Sequence, residues 1–108
     1  MAKVYITQDN GKNYTPACNF GKPSFVTNKE YSFIENSEAN TIINFEISKM
    51  TADFNTNEDY LLLSGDPIII ALCINKVLSE YGHVKVLKWQ SQDKAYVPIT
   101  LTNQPIDN

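Results

Sequence analysis

Two short turns hold most of the side chains in this chain that are equipped for chemistry: Gln8-Asp9-Asn10-Gly11 and Ser64-Gly65-Asp66-Pro67. Each supplies one carboxylate, and the second adds a hydroxyl and a glycine. Brought together, Gln8, Asp9, Ser64, Gly65 and Asp66 would line one polar crevice. Backbone N–H groups at the start of a helix favour a phosphate, and Gly65 permits close approach. Two features oppose this. Pro67 removes one donor, and Asp66 puts negative charge where the anion would sit. A hard cation bridging a carboxylate to a ligand would relieve that repulsion. The same residues also have a purely architectural reading, because Asp-Pro after Gly is a common way to begin a helix.

Nothing else in the chain assembles into a catalytic group. His83 is the only histidine and follows a helix end, where a solvated or dipole-stabilised imidazole is the ordinary case. Cys18 and Cys73 stand alone without CxxC spacing, so they propose neither a metal site nor a redox pair, and Cys73 reads as packing within a helix. With four glycines, the Walker and dinucleotide patterns are absent. The expectation is a protein that is not an enzyme and needs no cofactor and no metal. A metal-dependent hydrolase using Asp9 and Asp66 is the third reading, and it requires their two loops to be neighbours.

Composition sets the class in which those turns must work. The 108 residues suit one domain with a real core, and six Tyr, five Phe and one Trp argue for an ordered globule. All nine basic residues are Lys, the net charge is −3, and no basic cluster is present. Without Arg there is no bidentate fork for guanine or phosphate, which weighs against a nucleic-acid partner. No apolar run resembles a signal peptide or spans a bilayer, so the expected location is the cytoplasm, without a membrane.

The positioning elements follow from periodicity. Lys3 to Gln8 alternates as a strand and ends at Asn10-Gly11, a turn signal. Ser24 to Thr27 has strand character, and Tyr31 to Ile34 reads as a further short strand. From Asn36 to Phe54, the set Ile43, Ile47, Met50 and Phe54 fits a helix better than the competing strand set of Ile43, Phe45 and Ile47, with Asn36 or Ser37 as its cap. Tyr60 to Leu63 is a buried strand. Asp66 caps a second helix that begins at Pro67 and closes at Gly82.

Val84 to Trp89 completes a β-α-β unit, Tyr60 to Trp89, whose strands run parallel. Ala95 to Leu101 returns as an antiparallel strand, and Pro98 marks it as an edge. The sum is a small layered α/β domain over residues 1–101, roughly β-β-α-β-α-β-β, with a parallel unit, a C-terminal hairpin and a loose tail at 102–108.

Projection of the second helix places Ile70, Cys73, Ile74, Val77, Leu78 and Tyr81 toward the core. Ile68, Ile69 and Leu72 then fall on the wet side and need a cover, either the Lys12 to Glu30 segment or another subunit, which would make a homodimer. Trp89 and Tyr96 flank the hairpin loop and offer an aromatic pair for cross-strand packing or for a partner.

With those residues placed, "DYLLLSGDP", followed by a helix and then "VKVLKWQSQDKAYVPI", resembles small accessory proteins encoded by tailed bacteriophages. The likeness covers Asp59 to Ile99, and "VYITQDNGKN" adds less distinctive support. It implies a protein acting inside an infected cell and supplies no catalytic residue. The leading expectation is a non-enzymatic interaction protein that binds a host or viral protein, with Ile68, Ile69, Leu72, Trp89 and Tyr96 as its surface. The alternative is a binder of a nucleotide or other phosphate compound at the Gln8-Asp9 and Ser64-Gly65-Asp66 crevice.

Overall fold

The computed structural model describes residues 1–103. Its elements are β1 (Lys3–Gln8), a short 3-10 helix (Thr15–Asn19), β2 (Lys22–Thr27), α1 (Glu38–Asp53), β3 (Tyr60–Leu62), α2 (Pro67–Tyr81), β4 (His83–Gln90) and β5 (Ala95–Thr102). The strands form one sheet in the order β2-β1-β3-β4-β5. The first four are mutually parallel, and β5 is antiparallel to β4. The expected α/β plan, with its parallel Tyr60 to Trp89 unit and C-terminal hairpin, is the plan observed.

Crossover handedness explains the layering. The chain moves one way along the sheet from β1 to β2, and the other way from β2 to β3 and from β3 to β4. Right-handed connections therefore put α1 and α2 on one face and the 3-10 segment on the other. The core divides accordingly. Tyr5, Ile43, Ile47, Met50, Leu61, Ile69, Cys73, Val77, Val84 and Val86 pack on the helical side. Val4, Ile6, Tyr14, Ala17, Leu62, Leu87 and Tyr96 pack on the other. Alternate residues of β1 and β3 thus serve opposite layers, as the pleat requires.

Local chemistry sets the helix ends. Ser37 Oγ accepts the N–H of Asn40 at 3.2 Å and caps α1, with Glu38 in its first turn. Asp66 caps α2 through Ile68 N at 2.8 Å, Pro67 follows, and Gly82 ends the helix at φ 83°. A buried carboxylate ties the base of the sheet together: Asp59 accepts from Lys3 N at 2.9 Å and from Asn55 N at 2.8 Å.

Four expectations need correction. Tyr31 to Ile34 is not a strand but a series of bends. The cause is Asn40, whose side chain takes the N–H of Ser32 at 2.7 Å and donates to its carbonyl at 3.0 Å, using the groups a ladder would need. Ile69 is fully buried and heads the stripe Ile69, Cys73, Val77, while Tyr81, expected in the core, is 39% exposed and donates its hydroxyl to Thr51 O at 2.7 Å. Leu72 is partly buried against the same cluster. Packing against both the sheet and α1 widens the buried arc of α2 and carries it past the face that a single-sided projection draws. Of the Lys12 to Glu30 segment, expected with another subunit as the alternative to cover Ile68, Ile69 and Leu72, the 3-10 helix lies on the opposite face, where Ala17 packs with Val4, Ile6 and Leu62. Thr102 closes β5, and Asn103 bonds Gly82 O and Leu78 O, each at 3.2 Å, so the proposed tail does not begin there; its remainder, 104–108, lies outside the described residues.

Both sheet edges carry a proline within the strand, Pro23 in β2 and Pro98 in β5. A ladder tolerates proline only where its nitrogen faces away from the neighbouring strand. The donor row that a further strand would need is therefore broken on each side.

Candidate functional site

The carboxyl ends of the parallel strands gather the chain's polar turns. Because β1 and β3 are paired neighbours with connections leaving over opposite faces, their ends form the switch point where open α/β sheets bind ligands. Gln8, Ser64, Gly65 and Asp66 meet there. Asp9 lies beside them on the exposed turn, where its Oδ1 accepts Gly11 N at 3.0 Å and its own N–H donates to Thr27 O at 3.0 Å.

The turn's polar groups are largely paired within the chain. Thr7 Oγ1 donates to Ser64 O at 2.6 Å and accepts from Ser64 N at 2.9 Å, both buried. Gln8 Oε1 accepts Asp66 N at 2.6 Å, and Gln8 Nε2 donates to Lys29 O at 2.8 Å. Tyr14 OH donates to Asn10 Oδ1 at 2.6 Å, accepts Asn10 N at 3.1 Å, and lies 2.9 Å from Ser64 Oγ. Gly65, at φ 89°, leaves its open side to the Gln8 side chain, which occupies the space a Cβ would fill. The close approach that glycine permits is thus used by a glutamine. Among the described residues no three His, Cys, Asp or Glu side chains are grouped as metal ligands.

Two cavities flank this latch. On the helical side a groove of about 620 Å³ runs between the Tyr31–Asn36 bends and the starts of α1 and α2. Phe33 beside it is fully exposed, Ile34 is 72% exposed and Ile68 47%. The charged residues of its lining are Glu35 and Asp66, both acidic. On the other face a cavity of about 280 Å³ lies between Lys12-Asn13, the end of β3 at Leu62 to Ser64, and the hairpin aromatics Trp89 and Tyr96. Ser64 lines one cavity and Asp66 the other, so the turn is the wall between them. Neither helix of the described residues is long and apolar enough to cross a membrane.

A family model described as Phage Pam3 gp32-like protein matches residues 2–103, from before β1 to just past β5. The chain belongs to the Phage Pam3 gp32-like family. It is a small phage protein, in keeping with the resemblance carried by Asp59 to Ile99. No curated protein and no solved structure matches it.

Measured against the sequence expectations, the Phage Pam3 gp32-like chain places its proposed surface residues unevenly. Ile68 is exposed, Ile69 is buried, Leu72 is partly covered, and Trp89 stands half-open over a buried Tyr96. The residues that sequence reasoning missed are Phe33, Ile34, Lys12, Asn13 and Tyr14. For the first two the signal was present: an apolar pair set among Ser, Glu and Asn, where a strand has little to pair with. For Tyr14 no local signal exists, since its partner Ser64 is fifty residues away.

Proposed function

We propose that this phage protein is a non-enzymatic accessory protein that acts in the infected cell by binding another protein, host or viral. The observation that supports the reading is the apolar pair Phe33 and Ile34, held out of the core on a bend beside the groove that Ile68 borders. Contiguous exposed apolar side chains of this kind are costly in water and mark interaction surfaces. The acidic lining, Glu35 and Asp66, gives the partner's chemistry: apolar side chains flanked by Lys or Arg. A second copy of the chain, itself acidic and without Arg, is a poorer complement. The proline-broken edges also disfavour pairing through a continuous sheet.

Phe33→Ser combined with Ile34→Ser tests this, since both side chains lie outside the core. Proteins retained from infected cells by the parent and lost by the double variant are purified and titrated against both chains. The reading requires stoichiometric binding that weakens at least about tenfold in the variant and falls with added salt. Equal binding by both chains, or self-association as the only interaction, overturns it.

A further inference from the structure

We propose that the cavity between Lys12-Asn13 and the Trp89–Tyr96 hairpin binds a planar aromatic anion the size of a mononucleotide. This site is independent of the protein-binding groove and lies on the opposite face of the sheet. Its place is the one the topology provides, at the carboxyl ends of β1 and β3, on the side of the sheet away from α1 and α2.

Three features define the ligand. Trp89 and Tyr96 meet edge to face, with centroids 4.9 Å apart and planes at 67°. Tyr96 is buried in the cluster it forms with Leu62 and Leu87, while Trp89 remains 41% exposed and presents indole surface to a stacking ring. Lys12 is the only charged residue of the lining and makes no hydrogen bond or ion pair among the described residues. Beside it, Asn13 Oδ1 is taken by Thr15 N at 3.0 Å, which leaves the amide Nδ2 as a second donor for an anion.

Ser64 supplies the complementary acceptor. Because Tyr14 gives its proton to Asn10 Oδ1, the Ser64 hydroxyl donates to Tyr14 and keeps its lone pairs for a sugar hydroxyl or ring N–H. The volume, about 280 Å³, falls just below the roughly 300–1,000 Å³ usual for ligand sites. It therefore suits one ring system with a single anionic group, and a dinucleotide is too large.

Trp89 is the only tryptophan of the chain, so its fluorescence reports this cavity alone. Titration with AMP, GMP, CMP and UMP, with adenosine, and with inorganic phosphate separates the contributions of ring and anion. The proposal expects saturable quenching by at least one monophosphate. Phosphate alone should have no effect, and adenosine should bind about tenfold more weakly than AMP if AMP is the ligand. Lys12→Ala, whose side chain is exposed and unpaired, should weaken the monophosphate about tenfold and leave the fold intact by circular dichroism. Absence of saturable quenching by all four monophosphates overturns the proposal. So does a Lys12→Ala titration that superimposes on the parent's.

Discussion

The side chain of Gln8 occupies the space beside Gly65, and its Oε1 accepts the N–H of Asp66 at 2.6 Å. The end of β1 thereby holds the start of α2 from fifty-eight residues away. Gly65 sits at φ 89°, where an L side chain is strained in any surroundings.

Gly65→Ala therefore loses on two counts, the left-handed backbone at about 1–2 kcal/mol and the displaced Gln8 hydrogen bond at about 0.5–1.5 kcal/mol. The expected loss is about 2–3 kcal/mol, seen as a fall in Tm on the order of 10 °C for a domain near a hundred residues. In a Gln8→Ala background the second part disappears, so the two losses should be markedly less than additive. Full additivity would show that the glutamine and the glycine do not interact.

Thr7 is a second tie between β1 and the turn that leads from β3 into α2. Its hydroxyl satisfies both the N–H and the carbonyl of buried Ser64, so Thr7→Val keeps the volume and leaves two backbone groups unpaired. Urea unfolding should show a loss of about 2–4 kcal/mol. Thr7→Ser, which restores the hydroxyl, should recover most of it. A valine variant as stable as the parent would mean that water replaces the hydroxyl at no cost.

What the sequence disclosed and what it hid divide along physical lines. The β3-α2-β4 unit was legible because its punctuation is local: Asp66, Pro67 and Gly82 act on the backbone within a residue or two of themselves. Helix α1 was legible because Ile43, Ile47, Met50 and Phe54 all face one sheet. The buried side of α2 was misplaced because the helix packs against α1 as well as the sheet, and a neighbour absent from the pattern cannot shift a projection. Tyr31 to Ile34 failed because a side chain eight residues ahead, Asn40, takes up the backbone. The polar turns were recognised as a cluster, but their pairing was not, since Thr7, Gln8 and Tyr14 reach partners at least twenty residues away.

Adjacent residues of α2 give a direct check on that correction. Ile69 is 0% exposed and Ile68 is 47% exposed. Ile69→Ala should cost about 2–5 kcal/mol through lost burial and the cavity left behind. Ile68→Ala should stay within about 0.5 kcal/mol, as surface changes do. Paired denaturation curves decide it, and losses within about 0.5 kcal/mol for both substitutions would return the helix to the face first projected, where both side chains are wet.

The edge prolines carry a prediction about association. Replacing Pro23 and Pro98 together by Val restores an N–H at each edge in strands already rich in β-formers. Sedimentation velocity should show association that grows with concentration beyond any shown by the parent. If the variant sediments as the parent does, the edges are protected by something other than proline.

Alkaline pH should loosen the fold, and Cys73 sets where this begins. Its thiol is wholly buried, and burial pushes its pKa from 9.0 up to about 12. Above pH 9 the unfolded chain gives up this proton while the folded chain keeps it, so the unfolded state binds fewer protons and stability falls as pH rises. The contribution is complete below pH 9 and is lost progressively between 9 and 12, with a slope of up to about 1.4 kcal/mol per pH unit. Burial raises the pKa values of Tyr5 and Tyr96 as well, and these add in the same direction from about their ordinary value of 10.0 upward. Urea midpoints measured from pH 7 to 10.5 should therefore be flat and then decline, and Cys73→Ala should delay the decline until the tyrosines ionise. The same burial predicts thiol reactivity: in native protein a disulfide reagent should modify exposed Cys18 quickly and Cys73 only after unfolding. Fast modification of both thiols in native protein would place Cys73 at the surface and remove the basis for the pH dependence.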